Sequence, residues 1–256
     1  MRQASSSHIP EAATMARERL QKILSRAGLA SRREAERWIE EGRVELNGRT
    51  VRRMGEAADL EHDDLRVDGR RVRPQHRRLV VALNKPRGVI TSMRDPQGRP
   101  TVRDLLKKVR ERLYPVGRLD YASEGLLLMT NDGDLAAHLM APRSHCPKVY
   151  EVKVRGVPEV PALKRLSQGI VLQGRRTLPA RIRFLRGRHN SWLEVRLIEG
   201  RKNQIREMFR RVGHPVLKLR RVRIGSLVLG KLRPGAYRIL TQKEVQHLQD
   251  SLRESA

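Results

Sequence analysis

One carboxylate near the middle of the chain has the surroundings of a reactive group. Asp120 stands in the run Gly-Arg-Leu-Asp, shortly after Arg118 and shortly before the apolar stretch Leu126–Met129. An acid between a cation and a buried strand is held at the edge of a core, where burial and charge tune its pKa and reactivity. Such a carboxylate could act as a nucleophile or a base. An Asp in a turn also caps or bends the backbone, and spacing alone leaves that alternative open.

The composition indicates a polyanionic partner for this acid to work on. The chain has 55 Lys plus Arg against 28 Asp plus Glu, a formal net charge of +27 and a pI of about 11.5. Such a charge favours nucleic-acid binding. No stretch reaches the roughly 18 apolar residues of a membrane span, and residues 1–16 lack an apolar signal core. The single cysteine, Cys146, excludes an intramolecular disulfide and a cysteine-cluster zinc site. We therefore expect a cytoplasmic protein without a metal or a membrane partner.

The elements around Asp120 are predicted to belong to the second of two domains. Residues 1–16 are Ser- and Ala-rich and are predicted to be a disordered tail. A first helix should end at Gly28, and Ser31 with Glu34 has the capping-box spacing that starts a second helix. Asn47-Gly48 and Asp68-Gly69, each between apolar residues, predict two β-hairpins. Together these features predict a small domain over residues 17–75.

The rest of the chain mixes strands and helices without strict alternation. This order predicts an α+β fold with a mainly antiparallel mixed sheet. Residues 73–78 are basic, contain a proline and are interpreted as a linker, so the second domain is placed at 79–243. Its strands are predicted at 80–83, 89–92, 126–129, 150–154, 180–184 and 192–197, and its helices at 102–113, after Gly133 and at 203–212. Residues 244–256 form a tail whose Val245, Leu248 and Leu252 have helical spacing.

Two groups of cations are candidates for contacts with RNA. Between Gly200 and Arg233, eleven Lys or Arg residues stand against one acid, Glu207. Lys218, Arg220, Arg221 and Arg223 alternate with apolar residues there, which predicts a basic stripe on a half-exposed strand along an RNA channel. The N-terminal helices carry a second group, for which phosphate contact and a solvated charged face are both open. This group comprises Arg19, Lys22, Arg26, Arg32 and Arg33. Aromatic residues make up only 3% of the chain, which argues against a single-strand binder built on stacking.

Seven sequence motifs, taken in chain order, resemble a known enzyme family. The motifs are Arg19–Glu36 with Gly42-Arg43-Val44 and Asn47-Gly48, Asn84–Val89, Asp95–Val102, Gly117–Asp120 with Glu124–Leu128, Thr130–Gly133, Lys148–Tyr150, and Glu199–Arg206. The first is similar to the RNA-binding module named after ribosomal protein S-four. The others are similar to a group of ribosomal-RNA pseudouridine synthases, which comprises types B, E and F of the large subunit together with type A of the small subunit. The resemblance covers roughly residues 18–244.

The resemblance implies a fold and a reaction. The expected fold is a small S-four-like domain followed by a pseudouridine synthase domain. Members of the family cleave the bond between uracil and ribose, rotate the base and rejoin it through carbon, without a metal or other cofactor. Because the uracil must leave its stack to reach the enzyme, base flipping is expected.

The resemblance also assigns residues to the site. The essential aspartate of the family falls on Asp120, which could attack the anomeric carbon or take a sugar proton to give a glycal. Tyr150 would stack on the base and remove its carbon-bound proton, Arg206 would keep Asp120 ionised, and Ile205 would pack under the uracil. Tyr150 could instead be a core aromatic, and Arg206 a phosphate contact. Further expected substrate contacts are Lys85, Arg87, Arg118, Lys148, Arg201, Lys202 and Gln204.

Two segments refine the expected substrate. Residues 94–102 and 169–174 most resemble type B of the large-subunit synthases, which predicts an enzyme that isomerises uridine to pseudouridine in 23S rRNA. A monomer is expected, because no sequence pattern indicates a dimer interface. The same reaction on 16S rRNA is the nearest alternative. A non-catalytic rRNA-binding assembly factor is another, although such a factor has no need of Asp120. A DNA-binding protein is the weakest alternative, since the chain has no helix-turn-helix or zinc-finger spacing.

Overall fold

In a computed structural model, which describes residues 17–73 and 77–253, the chain divides into two compact units. The units are Met1–Arg77 and Arg78–Ala256. The predicted tail 1–16, the centre of the predicted linker (74–76) and the last residues (254–256) lie outside the described residues. Among the helices of the described part, none combines the length and apolar character needed to cross a membrane.

In the first unit, residues 17–73 form two short helices and small antiparallel sheets. Its elements are β1 Glu18–Arg19, α1 Leu20–Arg26, α2 Arg32–Glu40, β2 Val44–Leu46, β3 Arg49–Val51, β4 Ala57–Ala58, β5 Leu65–Val67 and β6 Arg70–Arg71. The predicted capping box is confirmed: the Ser31 side chain accepts from the Glu34 backbone N–H, and the Glu34 side chain accepts from Ser31 N–H. Both predicted hairpins are confirmed, because β2 pairs with β3 and β5 with β6.

A hydrophobic core joins these elements. The apolar faces of α1 and α2, including Leu20, Leu24 and Ile39, pack on Val44 and Leu65 of the sheet β3-β2-β5-β6. All five side chains are at most 1% exposed. The unit therefore has a core of its own, made of the apolar positions that recur at helical spacing in its sequence.

The described residues of the second unit form a large sheet, a small two-stranded sheet and four α-helices. Its strands are β7 Val80–Lys85, β8 Tyr114–Val116, β9 Glu124–Thr130, β10 Lys148–Arg155, β11 Val171–Leu172, β12 Arg175–Arg176, β13 Arg181–Gly187, β14 Asn190–Leu197, β15 Val216–Ile224, β16 Leu227–Val228 and β17 Tyr237–Ile239. Its helices are α3 Gly133–Met140, α4 Val160–Ser167, α5 Gln204–Arg211 and α6 Gln242–Arg253, with short 3-10 turns at Asp104–Leu106 and Pro142–Ser144.

The main sheet has nine strands and mixed direction. Seven of them follow the order β13-β14-β10-β15-β9-β7-β17, with β16 beside β15 and β8 beside β9. The described pairings are antiparallel except for that of β15 with β9, which is parallel. The predicted α+β class with a mainly antiparallel mixed sheet is confirmed.

The parallel contact between β9 and β15 depends on a glycine. Gly125 has φ +107°, and a Cβ built there would lie 2.2 Å from the carbonyl oxygen of Arg221. No side chain fits at that distance, so β15 can approach β9 only where the residue is glycine. This approach brings Arg221 beside the start of the strand that follows Asp120.

Two predicted elements are wrong. Residues 89–92 form no strand; Ile90 makes only an isolated bridge to Thr101. The helix predicted over 102–113 is reduced to the 3-10 turn at Asp104–Leu106. Its apolar positions still join the core, because Val102, Leu106 and Leu113 are buried. A helix there would place Arg103 beside Lys107 and Lys108 beside Arg112 at i, i+4, and like charges at that spacing destabilise a helix.

The C-terminal residues join the core of the second unit. Helix α6 begins at Gln242, and its Leu248 and Leu252 pack with Leu126, Leu128 and Ile224. Both leucines are at most 1% exposed. The helical spacing seen in the sequence thus corresponds to an apolar stripe that covers one end of the sheet.

Candidate functional site

Asp120 lies on the loop that connects β8 with β9. The loop leaves β8 after Val116, turns at Gly117 with φ +73°, and enters β9 at Glu124. The Asp120 side chain is exposed, whereas Leu119 and Ser123 are buried. The acid therefore lies at the edge of the core, as its spacing predicts, with its carboxylate exposed. The loop is held by its backbone, and the carboxylate is left accessible.

A buried lysine anchors this loop from below. Lys85 is 0% exposed, and its Nζ donates hydrogen bonds to the carbonyl oxygens of Pro86 at 2.9 Å, Asp120 at 3.2 Å and Ser123 at 2.8 Å. Burial lowers the pKa of Lys85 to about 8, against the opposing charges of Asp120 and Glu124. A side chain in this position cannot touch RNA. The expected substrate contact at Lys85 is thus replaced by a positioning role.

Two further side chains hold the loop on either side of Asp120. The hydroxyl of buried Thr91 donates to the Leu119 carbonyl at 2.7 Å and accepts from Leu119 N–H at 3.2 Å. Arg206 donates from one Nη to the Ala122 carbonyl at 3.1 Å and to Ser123 Oγ at 3.2 Å. The loop backbone is therefore restrained at Leu119, Asp120, Ala122 and Ser123. These contacts fix the backbone position from which the Asp120 side chain extends.

Arg206 reaches the loop from helix α5 and does not bond to the carboxylate. Within the described residues, the Asp120 side chain makes no hydrogen bond and no ion pair within 4.0 Å. Burial lowers the pKa of Arg206, and the charge of Asp120 acts in the opposite direction. The two charges therefore interact through space, while the hydrogen bonds of the guanidinium hold the loop.

Asp120 faces a cavity of about 610 Å³. This volume lies within the range of roughly 300–1,000 Å³ that is usual for small-ligand sites. Its walls include Tyr150 of β10, Ile205 of α5 and Leu219 of β15. Ile205 is only 4% exposed, and Tyr150 is half-buried and contacts two core clusters. The cavity thus combines one exposed carboxylate with an aromatic ring and aliphatic side chains, which suits a flat heterocyclic base.

The cavity also holds two cations that have no carboxylate partner among residues 17–73 and 77–253. Arg221 is 3% exposed and donates from Nε to the Leu126 carbonyl at 2.7 Å, while one of its Nη atoms is buried without a hydrogen bond to that part of the chain. Lys148 donates to the Cys146 carbonyl at 3.1 Å, and burial with the nearby Arg221 charge lowers its pKa. A buried donor without a partner is costly, so this end of the cavity is suited to an acceptor oxygen of a ligand.

The remaining expected substrate contacts fall into two groups. Arg118 and Lys202 line the cavity with exposed side chains, and Arg87 is exposed near Arg206. Arg201 and Gln204 also line the cavity, but their polar atoms are used internally. Arg201 binds Glu199 and the carbonyls of Arg175 and Arg176, and Gln204 bonds to Glu199 and to Arg201 N–H. These two side chains hold the loop before α5.

The basic stripe predicted on one strand is divided between two faces of the sheet. In β15, Arg221 and Leu219 point into the cavity, whereas Lys218 and Arg220 point to the opposite face. Arg223 also lies on the opposite face, because the β-bulge after Arg221 shifts the register. The prediction of one continuous channel along these cations is therefore wrong.

In the first unit, most of the candidate RNA contacts are accessible. Arg19, Arg26, Arg32 and Arg33 are exposed and Lys22 is half-buried. Lys22 and Arg26 both pair with Glu18, the latter at 2.9 Å. Arg32 and Arg33 occupy the first turn of α2, where they extend from a helix held by its capping box.

Sequence reasoning missed the residues that hold the loop. Thr91 and Ser123 had no expected role, although Thr91 follows the apolar residues Val89 and Ile90, where a hydroxyl usually has a specific hydrogen-bond partner. Nothing in the spacing indicated that Lys85 is buried. Its place inside the strand β7, whose residues Val80–Lys85 are all buried, is a tertiary property.

The chain is similar to known proteins over most of its length. A family described as RNA pseudouridylate synthase matches residues 79–211, and the S4 domain matches residues 18–61. An uncharacterized RNA pseudouridine synthase from Aquifex aeolicus is 46% identical over 90% of this chain and 93% of its own length. The ribosomal large subunit pseudouridine synthase B of Bacillus subtilis is 42% identical over 90% and 95%. A crystal structure of a pseudouridylate synthase has a TM-score of 0.66 and 30% identity, covering 90% of this chain and 99% of that one.

Proposed function

The chain belongs to the RNA pseudouridylate synthase family, and from this premise we propose that it isomerises a uridine of 23S rRNA with Asp120 as the reacting carboxylate. Activity on RNA as a pseudouridine synthase follows from the family match and the relatives. The choice of 23S rRNA is supported by the likeness to the ribosomal large subunit pseudouridine synthases B of Bacillus subtilis and Pseudomonas aeruginosa, at 42% and 38% identity.

The main support for the proposal is that Asp120 presents an exposed carboxylate on an immobilised loop. Lys85, Thr91 and Arg206 bind the backbone around Asp120 and leave its oxygens free for a substrate. A side chain used only to cap a turn would bond to the backbone, which Asp120 does not do within the described residues. A positioned and unengaged acid is what a covalent or base role at a sugar carbon requires.

The chemistry needs one bond to break and another to form. The N1–C1′ bond breaks while Asp120 either attacks C1′ or takes the 2′ proton to leave a glycal. The detached uracil turns within the cavity, and its C5 then bonds to C1′. In the first route the bond between Asp120 and C1′ breaks in this step, and in the second route the proton held by Asp120 returns to C2′. The proton on C5 leaves and N1 gains one, so the reaction is balanced without a cofactor. In this scheme Tyr150 lies against the base and accepts the C5 proton, and Ile205 supports the other side.

Base flipping gives the cations that line the cavity a role. A uracil removed from its helix brings a ribose and its flanking phosphates to the pocket. Arg118 and Lys202, on the cavity wall, would meet those phosphates, and the unpartnered Nη of Arg221 would donate a hydrogen bond to a nucleotide oxygen. The low aromatic content of the chain is consistent with RNA binding through phosphate contacts.

Arg221→Met tests this assignment. Because a hydrogen bond to a charged donor contributes about 1.5–3 kcal/mol, kcat/KM for rRNA should fall about 10- to 150-fold. The measurement is pseudouridine formation at subsaturating RNA. Arg233→Met, at an exposed position of the same unit, is the control and should stay near wild type. Wild-type kcat/KM in Arg221→Met would show that its free donor has no substrate partner.

The proposal as a whole is tested with purified full-length protein and rRNA transcripts that carry tritium at uridine C5. Isomerisation replaces the C5–H bond, so each turnover releases one tritium. We expect release from 23S transcripts and none from 16S transcripts. Release from 16S rRNA alone would assign the same reaction to the small subunit. No release from either, under conditions where the RNA is bound, would favour the assembly-factor alternative.

A further inference from the structure

The sheet face opposite the catalytic cavity carries an ordered array of cations. The register of β13, β14, β10 and β15 aligns the outward residues in three rows across the strands. The first row is Arg186, Trp192, Lys153 and Lys218; the second is Arg183, Glu194, Glu151 and Arg220; the third is Arg181, Arg196, Val149 and Arg223. We call this surface the outer face.

The charges of the outer face are arranged in a definite pattern. The middle row is balanced, because its two acids lie between Arg183 and Arg220, and Arg183 bonds to Glu194 at 3.3 Å. The two flanking rows contain no acid. Their cations form no ion pair within the described residues, and most are exposed. Two rows of uncompensated positive charge therefore flank a neutral row.

This arrangement costs stability in the isolated protein. Arg181 lies directly opposite Arg196, and Lys153 directly opposite Lys218. Like charges directly across two strands destabilise a sheet. The opposite face of the same strands is a packed core of Val152, Leu193 and Leu219. The packed core on the cavity side thus stabilises the sheet, and a bound polyanion would relieve the charge repulsion on the outer face.

The geometry points to duplex RNA as the polyanion. We propose that the outer face is a second RNA-binding surface, which grips the phosphates of an rRNA helix away from the target uridine. The inference rests on the proposed function, since it takes rRNA as the substrate. Residues four apart on a strand are about 13 Å apart, so the two cationic rows are spaced to meet separate phosphate strands.

Single-stranded RNA fits this surface less well. A single-strand site needs aromatic faces on which bases stack. Trp192 is the aromatic residue of the three rows; it is half-buried, and the Arg186 guanidinium lies 5.7 Å from the centre of its ring. Its ring face is therefore already occupied by a cation. Recognition through phosphates, without stacking, is the mode that the outer face supports.

The test is the salt dependence of binding to a labelled 20-base-pair RNA duplex without unpaired uridines. The variant replaces Lys153, Arg181, Arg196 and Lys218 with glutamine in the full-length protein. Each lost phosphate contact lowers the slope of log K against log salt by about 0.9, so four lost contacts should lower it by about 3.6. Affinity at low salt should fall more than tenfold. The variant should melt at or above the wild-type Tm, because opposed charges are removed.

A matched control carries the same loss of charge elsewhere. Arg103, Lys107, Lys108 and Arg110 are exposed in the same unit, and their replacement with glutamine should change the slope by less than 1. An equal drop in the control would mean that net charge, not this surface, sets binding, and would overturn the proposal. An unchanged slope in the outer-face variant would also overturn the proposal. If that variant bound polyglutamate more weakly while its slope for the RNA duplex was unchanged, the partner of the outer face would be an acidic protein. The duplex assay measures binding and needs no turnover. A wild-type protein that binds the duplex but forms no pseudouridine would therefore contradict the proposed reaction and not the proposed role of the outer face.

Discussion

Replacing Asp120 with asparagine should abolish pseudouridine formation and leave RNA binding intact. Asparagine has the same size but is a poor nucleophile and a poor base, so the first chemical step is lost. The expected drop in rate is about 10⁴-fold or more, since no other carboxylate of the described chain lines the cavity. The fold should be retained, because Lys85 and Thr91 bind the loop through backbone atoms and not through the Asp120 side chain.

The measurement is tritium release from C5 under single-turnover conditions, with RNA affinity measured in parallel. Asp134→Asn is the matched control, because Asp134 lies in the first turn of α3 in the same unit and outside the cavity. It should keep its rate within about threefold. A variant at Asp120 that retains a substantial rate would remove this residue from the chemistry and leave the cavity without an acid to start the reaction.

Replacing Lys85 with methionine should have the second largest effect. Methionine fills similar volume but donates no hydrogen bond, so three carbonyls, two of them in the Asp120 loop, lose their partner. A shift of about 1 Å in the carboxylate can lower a rate 100-fold, and we expect kcat to fall about 100- to 1,000-fold. The free energy of unfolding should change by less than the activation free energy. Removing the buried charge stabilises the fold, whereas leaving the three carbonyls without a partner destabilises it.

The pH profile separates this role from a general packing effect. Above pH 8, the pKa of about 8 predicts that Lys85 loses a proton and keeps too few N–H donors for its three carbonyls. Wild-type kcat should therefore decline with an apparent pKa near 8. Stability has the opposite sign: the folded pKa lies below the ordinary 10.5, so the cost of the buried charge is present below pH 8 and is relieved between pH 8 and 10.5.

Two comparisons test the role of Lys85: a substitution at an exposed lysine, and the pH profile of the Lys85→Met variant. Lys107→Met, at an exposed position, should match wild type in both rate and pH profile. Lys85→Met should lack the alkaline decline, since it has no group to titrate. The same decline in Lys85→Met and wild type would assign that titration to another group, and an unchanged kcat would show that the loop does not depend on this anchor.

Local signals in the sequence were sufficient for much of the fold. Ser31 and Glu34 form the capping box, Asn47-Gly48 and Asp68-Gly69 make the hairpins, and the apolar run at Leu126–Met129 lies in a buried strand. These features depend on neighbours in the chain. The helix predicted at 102–113 failed because its apolar spacing was satisfied by core contacts from an irregular backbone, while its like charges opposed helix formation.

Part of the cavity lining was predictable from the sequence, whereas the contacts around it were not. Motif order led to Asp120, Tyr150 and Ile205, which the structure brings to one cavity. It could not show that Lys85 points into the protein or that Arg206 bonds to the loop instead of the carboxylate, because both facts depend on strands distant in sequence. The strand period separates Arg221 from Arg220, but only the position of the cavity decides which of them faces substrate.

The most direct test is pseudouridine mapping of 16S and 23S rRNA from cells that lack this protein. The cells are complemented with wild type or with Asp120→Ala. We predict that one 23S position loses its pseudouridine and that wild type, but not Asp120→Ala, restores it. Restoration by Asp120→Ala, or unchanged modification of both rRNAs in the absence of the protein, would contradict the account.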